Sequence, residues 1–343
     1  MSPASSATNS TGPTTSPLVI GHRGASGYRP EHTRAAYTLA FALGADAVEP
    51  DIVASSDGVL VLRHENEISG TTNVADHPEF AERRTSKTID GKTMIGWFTE
   101  DFTWAELATL RCRERLPELR PANVAFNDTE PILRLSDLLE LVDQHPEAQR
   151  RPLRVVAEIK HASYFESIGL PLDELFARDV RGWATPDNLI IESFEQNVLH
   201  RIRDRGIPGP LVFLLESSGA PADLVARFGP QARSYAEHLT AEGLATLANQ
   251  VDGISVDKKM LMVKDPAGNL TGSNDLVTRA QAVGLLVFCW TLRAENRFLP
   301  TNLRSGTAAD QHGDWRSEFR TLIDSGLDGV FADHPDLAVS ARG

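Results

Sequence analysis

From Leu18 to the end of the chain, short apolar runs alternate with amphipathic stretches. The runs Leu18–Gly24, Ala47–Ser55, Arg154–Lys160, Leu189–Phe194, Leu211–Glu216, Gly253–Asp257, Leu285–Thr291 and Gly329–Ala332 are rich in Val, Ile, Leu and Phe, with Val59–His64 a candidate continuation of the second. Runs that are apolar on both faces read as strands of a parallel sheet covered by helices. Between them, Glu31–Leu43 sets Ala35, Ala36, Leu39, Ala40 and Leu43 on one helical face and ends at Gly44. Ser136–Val142 (Ser136 as candidate N-cap), Leu170–Trp183, Gln196–Arg205, Thr240–Asn249, Asn274–Val283, Trp315–Ser325 and Pro335–Ala341 carry the same kind of pattern. Eight strand–helix alternations joined by right-handed crossovers predict a closed (β/α)8 TIM barrel in a single domain over residues 18–343. A doubly wound open sheet is the rival, but no GxGxxG follows the first strand.

Two segments break the rhythm. Residues 66–131 are long, highly charged and hold Trp97, Phe98 and Trp104; a connection of that length is usually functional, and here it leaves the end of the second strand, so it is expected to be a cap inserted over the barrel mouth. Pro300–Gly313 reads as a shorter, mobile polar loop. Residues 1–17, rich in Ser, Thr and Pro, lack the basic start and apolar stretch of a signal peptide and read as a disordered leader. The chain is thus cytoplasmic as it stands, or the mature form of an exported protein.

Composition removes several classes of function. The 343 residues carry a net charge of −13, which disfavours nucleic acid as a partner, and no apolar run approaches the ~20 residues of a membrane span. An anionic substrate must then be drawn by local positive charge. The two cysteines, Cys112 and Cys289, form no framework and read as buried, unpaired thiols. Oligomeric state has no signature in the pattern.

The chemistry-bearing residues cluster at strand ends. The first strand ends in Gly21-His22-Arg23-Gly24; the second holds Glu49-Pro50-Asp51, two acids at i, i+2 and so on one face; the third ends in Glu158-Ile159-Lys160. Three carboxylates in one barrel mouth repel each other, and a hard divalent cation held by Glu49, Asp51 and Glu158 would offset that; oxygen-only ligation favours Ca²⁺ or Mg²⁺ over zinc, and Ca²⁺ is the first expectation. Structural ion pairing to Arg23 and Lys160 is the alternative use of the same acids. His22 and His64, both at strand ends, are candidates for general acid and base. Arg23 and Lys160 suit a phosphoryl oxygen. Trp290 and Phe194 are candidate aromatic walls of a substrate pocket.

The segment His22-Arg23-Gly24-Ala25-Ser26-Gly27-Tyr28-Arg29-Pro30-Glu31-His32-Thr33, with Glu49-Pro50-Asp51, Val61-Leu62-Arg63-His64, Glu158-Ile159-Lys160 and Phe331-Ala332-Asp333-His334-Pro335, resembles the glycerophosphodiester phosphodiesterases, most closely the larger periplasmic type. The resemblance runs from about Val19 to Leu337. It implies a barrel with one catalytic Ca²⁺ or Mg²⁺ that hydrolyses small glycerophosphodiesters such as glycerophosphocholine and glycerophosphoethanolamine to sn-glycerol 3-phosphate and an alcohol. Carried over by position, the catalytic histidines fall on His22 and His64, the metal carboxylates on Glu49, Asp51 and Glu158, and the phosphate-binding cations on Arg23 and Lys160. Three departures, Glu65 for Asp, His32 for Asn and Leu292-Arg293 for Val-Asn, are expected to lie outside the core of the chemistry. A phospholipase D-like enzyme acting on intact lipid is the alternative; it would call for exposed apolar or basic residues on the mouth loops, where residues 66–131 offer Trp97, Phe98 and Trp104 among many acids. A non-catalytic barrel is the third reading, disfavoured because both histidines and all three acids are present.

Overall fold

The computed structural model describes residues 16–343. Met1–Thr15 of the expected leader therefore lie outside the described residues. Eight strands form the sheet: β1 (Leu18–His22), β2 (Ala47–Glu49 and Asp51–Ala54, parted at Pro50), β3 (Arg154–Ile159), β4 (Leu189–Ser193), β5 (Leu211–Leu215), β6 (Gly253–Asp257), β7 (Leu286–Leu292) and β8 (Gly329–Ala332). Every neighbouring pair is parallel, and the ring closes because β8 and β2 both pair with β1 while β2 also pairs with β3. Closure leaves this sheet no parallel edge to protect.

The strands that the alternation predicted are present within a residue or two of their expected ends. Val59–His64 is a different matter. Leu60–Leu62 turns back and pairs antiparallel with Asp51–Ala54, so it extends the second strand's hairpin and not the barrel. The first helix begins at Arg34 and not at Glu31, because the Thr33 side chain accepts from the Ala36 N–H and fixes the start. Ser136 is not an N-cap: the helix Leu135–Gln144 begins a residue earlier, with Asp137 reaching back to the Arg134 N–H. Two short helices that the pattern did not announce, Ala162–Ser167 and Ala222–Phe228, follow β3 and β5.

A small apolar cluster plugs the barrel interior: Ile20, Ala47, Val156, Ile190, Val212, Phe288 and Phe331. A second, larger cluster packs the outer strand faces against the helices. Side chains two apart on a strand share a face. One step toward the C-terminal end from each plug residue therefore stand His22, Glu49, Glu158, Glu192, Leu214, Trp290 and Asp333. The apolar plug is the floor on which the polar mouth is laid, at the end of the barrel where this fold carries its chemistry.

Residues 66–131 are folded in place, with a hairpin (Thr85–Ile89 and Lys92–Gly96), short helical turns and bridges Thr72–Cys112 and Arg111–Pro131. Within Pro300–Gly313, the carbonyls of Ser305 and Ala308 accept from the Asn296 side chain, and His312 bridges to Glu295. No helix among the described residues is long and apolar enough to cross a membrane. Both cysteines are buried and unpaired.

Candidate active site

A cavity of about 540 Å³ opens at the C-terminal end of the strands, and His22, Arg23, Glu49, His64, Glu158 and Trp290 are among its walls. Phe194 lines it too, edge-on to Trp290 with 5.9 Å between ring centres. Behind the lining lie Asp51, wholly buried, and Lys160. All nine residues singled out from the sequence are therefore at or directly behind one cavity.

The turn after β1 explains the His-Arg-Gly run. Arg23 and Gly24 both have positive φ, 59° and 84°. A Cβ at Gly24 would meet the Ala36 backbone at 2.6 Å, so glycine alone fits. Arg23 tolerates the left-handed backbone at a cost of about 1 kcal/mol, and strain of that kind is commonly kept where function needs the geometry. The result here is that the Arg23 N–H donates to Glu49 Oε2 at 2.7 Å, while its guanidinium meets Glu31 at 3.0 Å and Asp51 at 3.2 Å.

Glu49, Asp51 and Glu158 converge: one oxygen from each lies within 4.8 Å of the others, and all three residues are buried. Pro50 splits the strand between the two acids, yet both still reach the same point. Burial and then the Asp51 charge hold the Glu49 carboxyl well above the usual range. Burial likewise pushes Glu158 up to about 8. Burial works in the same direction on Asp51, but Lys160, His64 and Arg23 outweigh it and keep this carboxyl low. Lys160 Nζ donates to Glu158 Oε1 at 2.7 Å and stands 3.6 Å from Asp51 Oδ1, an oxygen with no hydrogen-bond partner. Burial and mutual repulsion thus hold protons on two of the three acids that a cation would displace, and the all-oxygen donor set fits a hard divalent cation.

Each histidine is tethered to a carboxylate. His22 Nδ1 lies 2.5 Å from Asp333 Oδ1, and His64 Nδ1 lies 2.5 Å from Glu65 Oε1. Both carboxyls are held below their ordinary range, so they are ionised and accept the Nδ1 proton, which leaves each Nε2 as the nitrogen with a free lone pair. Burial, aided by Arg23, lowers the His22 imidazole to about 4 and the His64 imidazole to about 3, so both rest neutral.

The tethers are themselves braced, and by residues for which sequence reasoning had no role. Asp333 Oδ2 accepts from Arg120 Nη2 at 2.5 Å and from Arg293 Nε at 2.7 Å; Arg115 donates to Glu31 and Glu65 at 2.6 and 2.7 Å. Arg115 and Arg120 come from the 66–131 segment, where no periodicity marks them. Asp333, by contrast, stands two residues past the plug residue Phe331 and could have been found by counting. Glu192, buried in the cavity wall two residues past Ile190 with an unpartnered oxygen, could have been found the same way.

The three departures from the family pattern are not remote, contrary to expectation. Glu65 tethers His64, and Arg293 holds Asp333. His32, whose φ is positive, sets its Nε2 2.9 Å from Asp51 Oδ2. Of the apolar residues that the 66–131 segment offered to a membrane surface, Trp97 and Phe98 are buried and Trp104 is half-buried.

Acids that can hold a cation, imidazoles that can move protons and a guanidinium that can meet an anion are what hydrolysis of a phosphate ester requires. The sequence model of the glycerophosphoryl diester phosphodiesterase family matches residues 22–337. A glycerophosphodiester phosphodiesterase of Arabidopsis thaliana is 29% identical over 93% of this chain and 84% of its own length, and one of Bacillus subtilis is 25% identical over the same shares. The fold is shared with an Oleispira antarctica phosphodiesterase solved with its product sn-glycerol 3-phosphate: TM-score 0.62, 20% identity, 95% of this chain and 96% of that one covered. The chain belongs to the glycerophosphoryl diester phosphodiesterase family and is a hydrolase of phosphoric diesters.

Proposed function

We propose that the enzyme releases sn-glycerol 3-phosphate and an alcohol from small, water-soluble glycerophosphodiesters, with His22 and His64 as the acid–base pair and Glu49, Asp51 and Glu158 as the seat of one divalent cation, Ca²⁺ before Mg²⁺. The observation that carries this reading is the pair of carboxylate-tethered imidazoles facing the same cavity as the three converging acids. A bound cation would supply Lewis-acid charge for the phosphoryl group and lower the pKa of a neighbouring hydroxyl.

The remaining work falls to the chain's own side chains. The glycerol 2-hydroxyl attacks phosphorus in line and expels the alcohol, and water then opens the cyclic phosphate. One Nε2 takes the attacking proton while the other protonates the leaving oxygen, and the roles reverse in the second step. Arg23 stabilises charge growing on the equatorial oxygens, and Lys160 supplies a second positive charge beside the acids. Tethering each Nδ1 to a carboxylate fixes the tautomer and stabilises the imidazolium as it forms.

The test is a coupled glycerol 3-phosphate release assay on glycerophosphocholine, glycerophosphoethanolamine and glycerophosphoglycerol. Turnover should vanish with EDTA and return with Ca²⁺ or Mg²⁺, and the melting temperature should rise when Ca²⁺ is added to the stripped protein. Activity unaffected by chelation would refute the cation's part. Turnover of micellar phosphatidylcholine in preference to glycerophosphocholine would favour the lipid-active alternative.

A further inference from the structure

Across the cavity from the three acids, the wall is cationic. The ring order sets β6 and β7 opposite β2 and β3. From the segment after β6 come Lys259 and Lys264, and from the loop after β7 come Arg293, Arg297 and Arg304, all lining the same cavity as His22 and Arg23. Arg293 is committed to Asp333, and Lys259 stands 4.0 Å from Asp257. Lys264, Arg297 and Arg304 have no carboxylate within ion-pairing distance among the described residues. Three uncompensated cations on one wall repel each other, and in a chain of net charge −13 they contrast with the field of the molecule as a whole.

Two of the aromatic faces nearby, those of Phe194 and Phe298, are already met by cations. Lys160 Nζ already sits 5.7 Å from the Phe194 ring centre, and the Arg293 guanidinium lies 4.8 Å from that of Phe298. A quaternary ammonium seated here would meet like charge at once. A diester with its phosphoryl group at Arg23 must send one of its two arms toward this wall.

We infer that the alcohol arm of the preferred substrate is itself anionic: a glycerophosphodiester whose leaving alcohol carries a second phosphoryl group, held by Lys264, Arg297 and Arg304. This rests on the phosphodiesterase reading above and narrows its substrate class. The bond change is unaltered: the bond from phosphorus to the alcohol oxygen breaks, the oxygen of water ends on phosphorus, and the alcohol leaves with a proton.

Three diesters sharing one glycerophosphoryl half separate the possibilities: glycerophosphocholine, glycerophosphoglycerol and bis(glycerophospho)glycerol, whose arms are cationic, neutral and anionic. At low ionic strength, kcat/KM should favour bis(glycerophospho)glycerol over glycerophosphocholine by about tenfold or more, after allowing for its two equivalent phosphates. In the double variant Lys264→Ala, Arg297→Ala that preference should collapse to about twofold, with glycerophosphoglycerol turnover barely changed. Equal kcat/KM for all three in the native enzyme, or a preference for glycerophosphocholine, would overturn the inference and leave the phosphodiesterase reading intact. An equal loss on all three in the variant would also overturn it, since the cations would then merely steer the reacting diester. If none of the three released glycerol 3-phosphate, the phosphodiesterase reading itself would fall, and this inference with it.

Discussion

The two halves of the mouth are built on opposite plans. On the β1–β3 side, acids and cations are buried, interlocked and mutually paired: Arg23 with Glu31 and Asp51, Lys160 with Glu158, and His32 with Asp51. On the β6–β7 side, Lys258 is buried against Glu318 and Arg293 holds Asp333, but Lys264, Arg297 and Arg304 stand exposed beyond the strand ends with no carboxylate within ion-pairing distance among the described residues. Burial makes the first half intolerant of change, because an ion stripped of its partner there is left uncompensated in a low dielectric. Exposure makes the second half adjustable, since surface charges contribute little to stability and can be retuned without unfolding the barrel. A common reaction centre beside a variable specificity wall is what that asymmetry would produce.

The sharpest way to break the contrast is to remove the histidines. His22→Ala and His64→Ala should each lower kcat by about 10²–10⁴-fold with the circular dichroism spectrum unchanged, and a variant that keeps its turnover would remove that residue from the acid–base pair. Next comes Asp333, which positions His22 and anchors Arg120 and Arg293. Asp333→Asn should cost about 3 kcal/mol of stability and about a hundredfold in kcat, with a displaced pH–rate profile that a purely structural role would not give. Unaltered pH dependence in that variant would reduce Asp333 to a scaffold residue.

Smaller effects test the burial argument itself. Burial lowers His334 to about 4, as it does His22, from an ordinary value of 6.5. As pH falls below 6.5 the unfolded chain takes up these protons while the native state resists until about pH 4. Stability is therefore fully present above 6.5 and is lost across that window. Urea midpoints at several pH values should show the decline, and His334→Gln should flatten it; an identical slope would show that this ring does not contribute. Smallest of all, Trp290→Phe should raise KM about fivefold with little change in kcat, since it trims a wall without touching the proton relay.

How legible this was depended on the range of the signal. Short runs apolar on both faces, set between amphipathic stretches, predicted the eight strands, and strand ends with His-Arg-Gly, Glu-Pro-Asp and Glu-Ile-Lys pointed to the mouth. Counting two residues onward from the apolar plug would also have found Glu192 and Asp333. Periodicity could not reveal that Leu60–Leu62 folds back on its neighbour, because an apolar triplet has the same pattern in either direction. Nor could it reveal Arg115 and Arg120, each more than fifty residues along the chain from at least one carboxylate it grips: Glu31 and Asp333.

The order of residues along each strand was enough to determine the barrel, its floor and His22, Glu49 and Glu158 laid on that floor, since inward and outward faces follow from backbone geometry alone. Only the tertiary structure decided which ions would be neutralised and which left bare. Pairing depends on distances between segments remote along the chain, and those distances exist only once the barrel has closed and residues 66–131 have folded against its mouth.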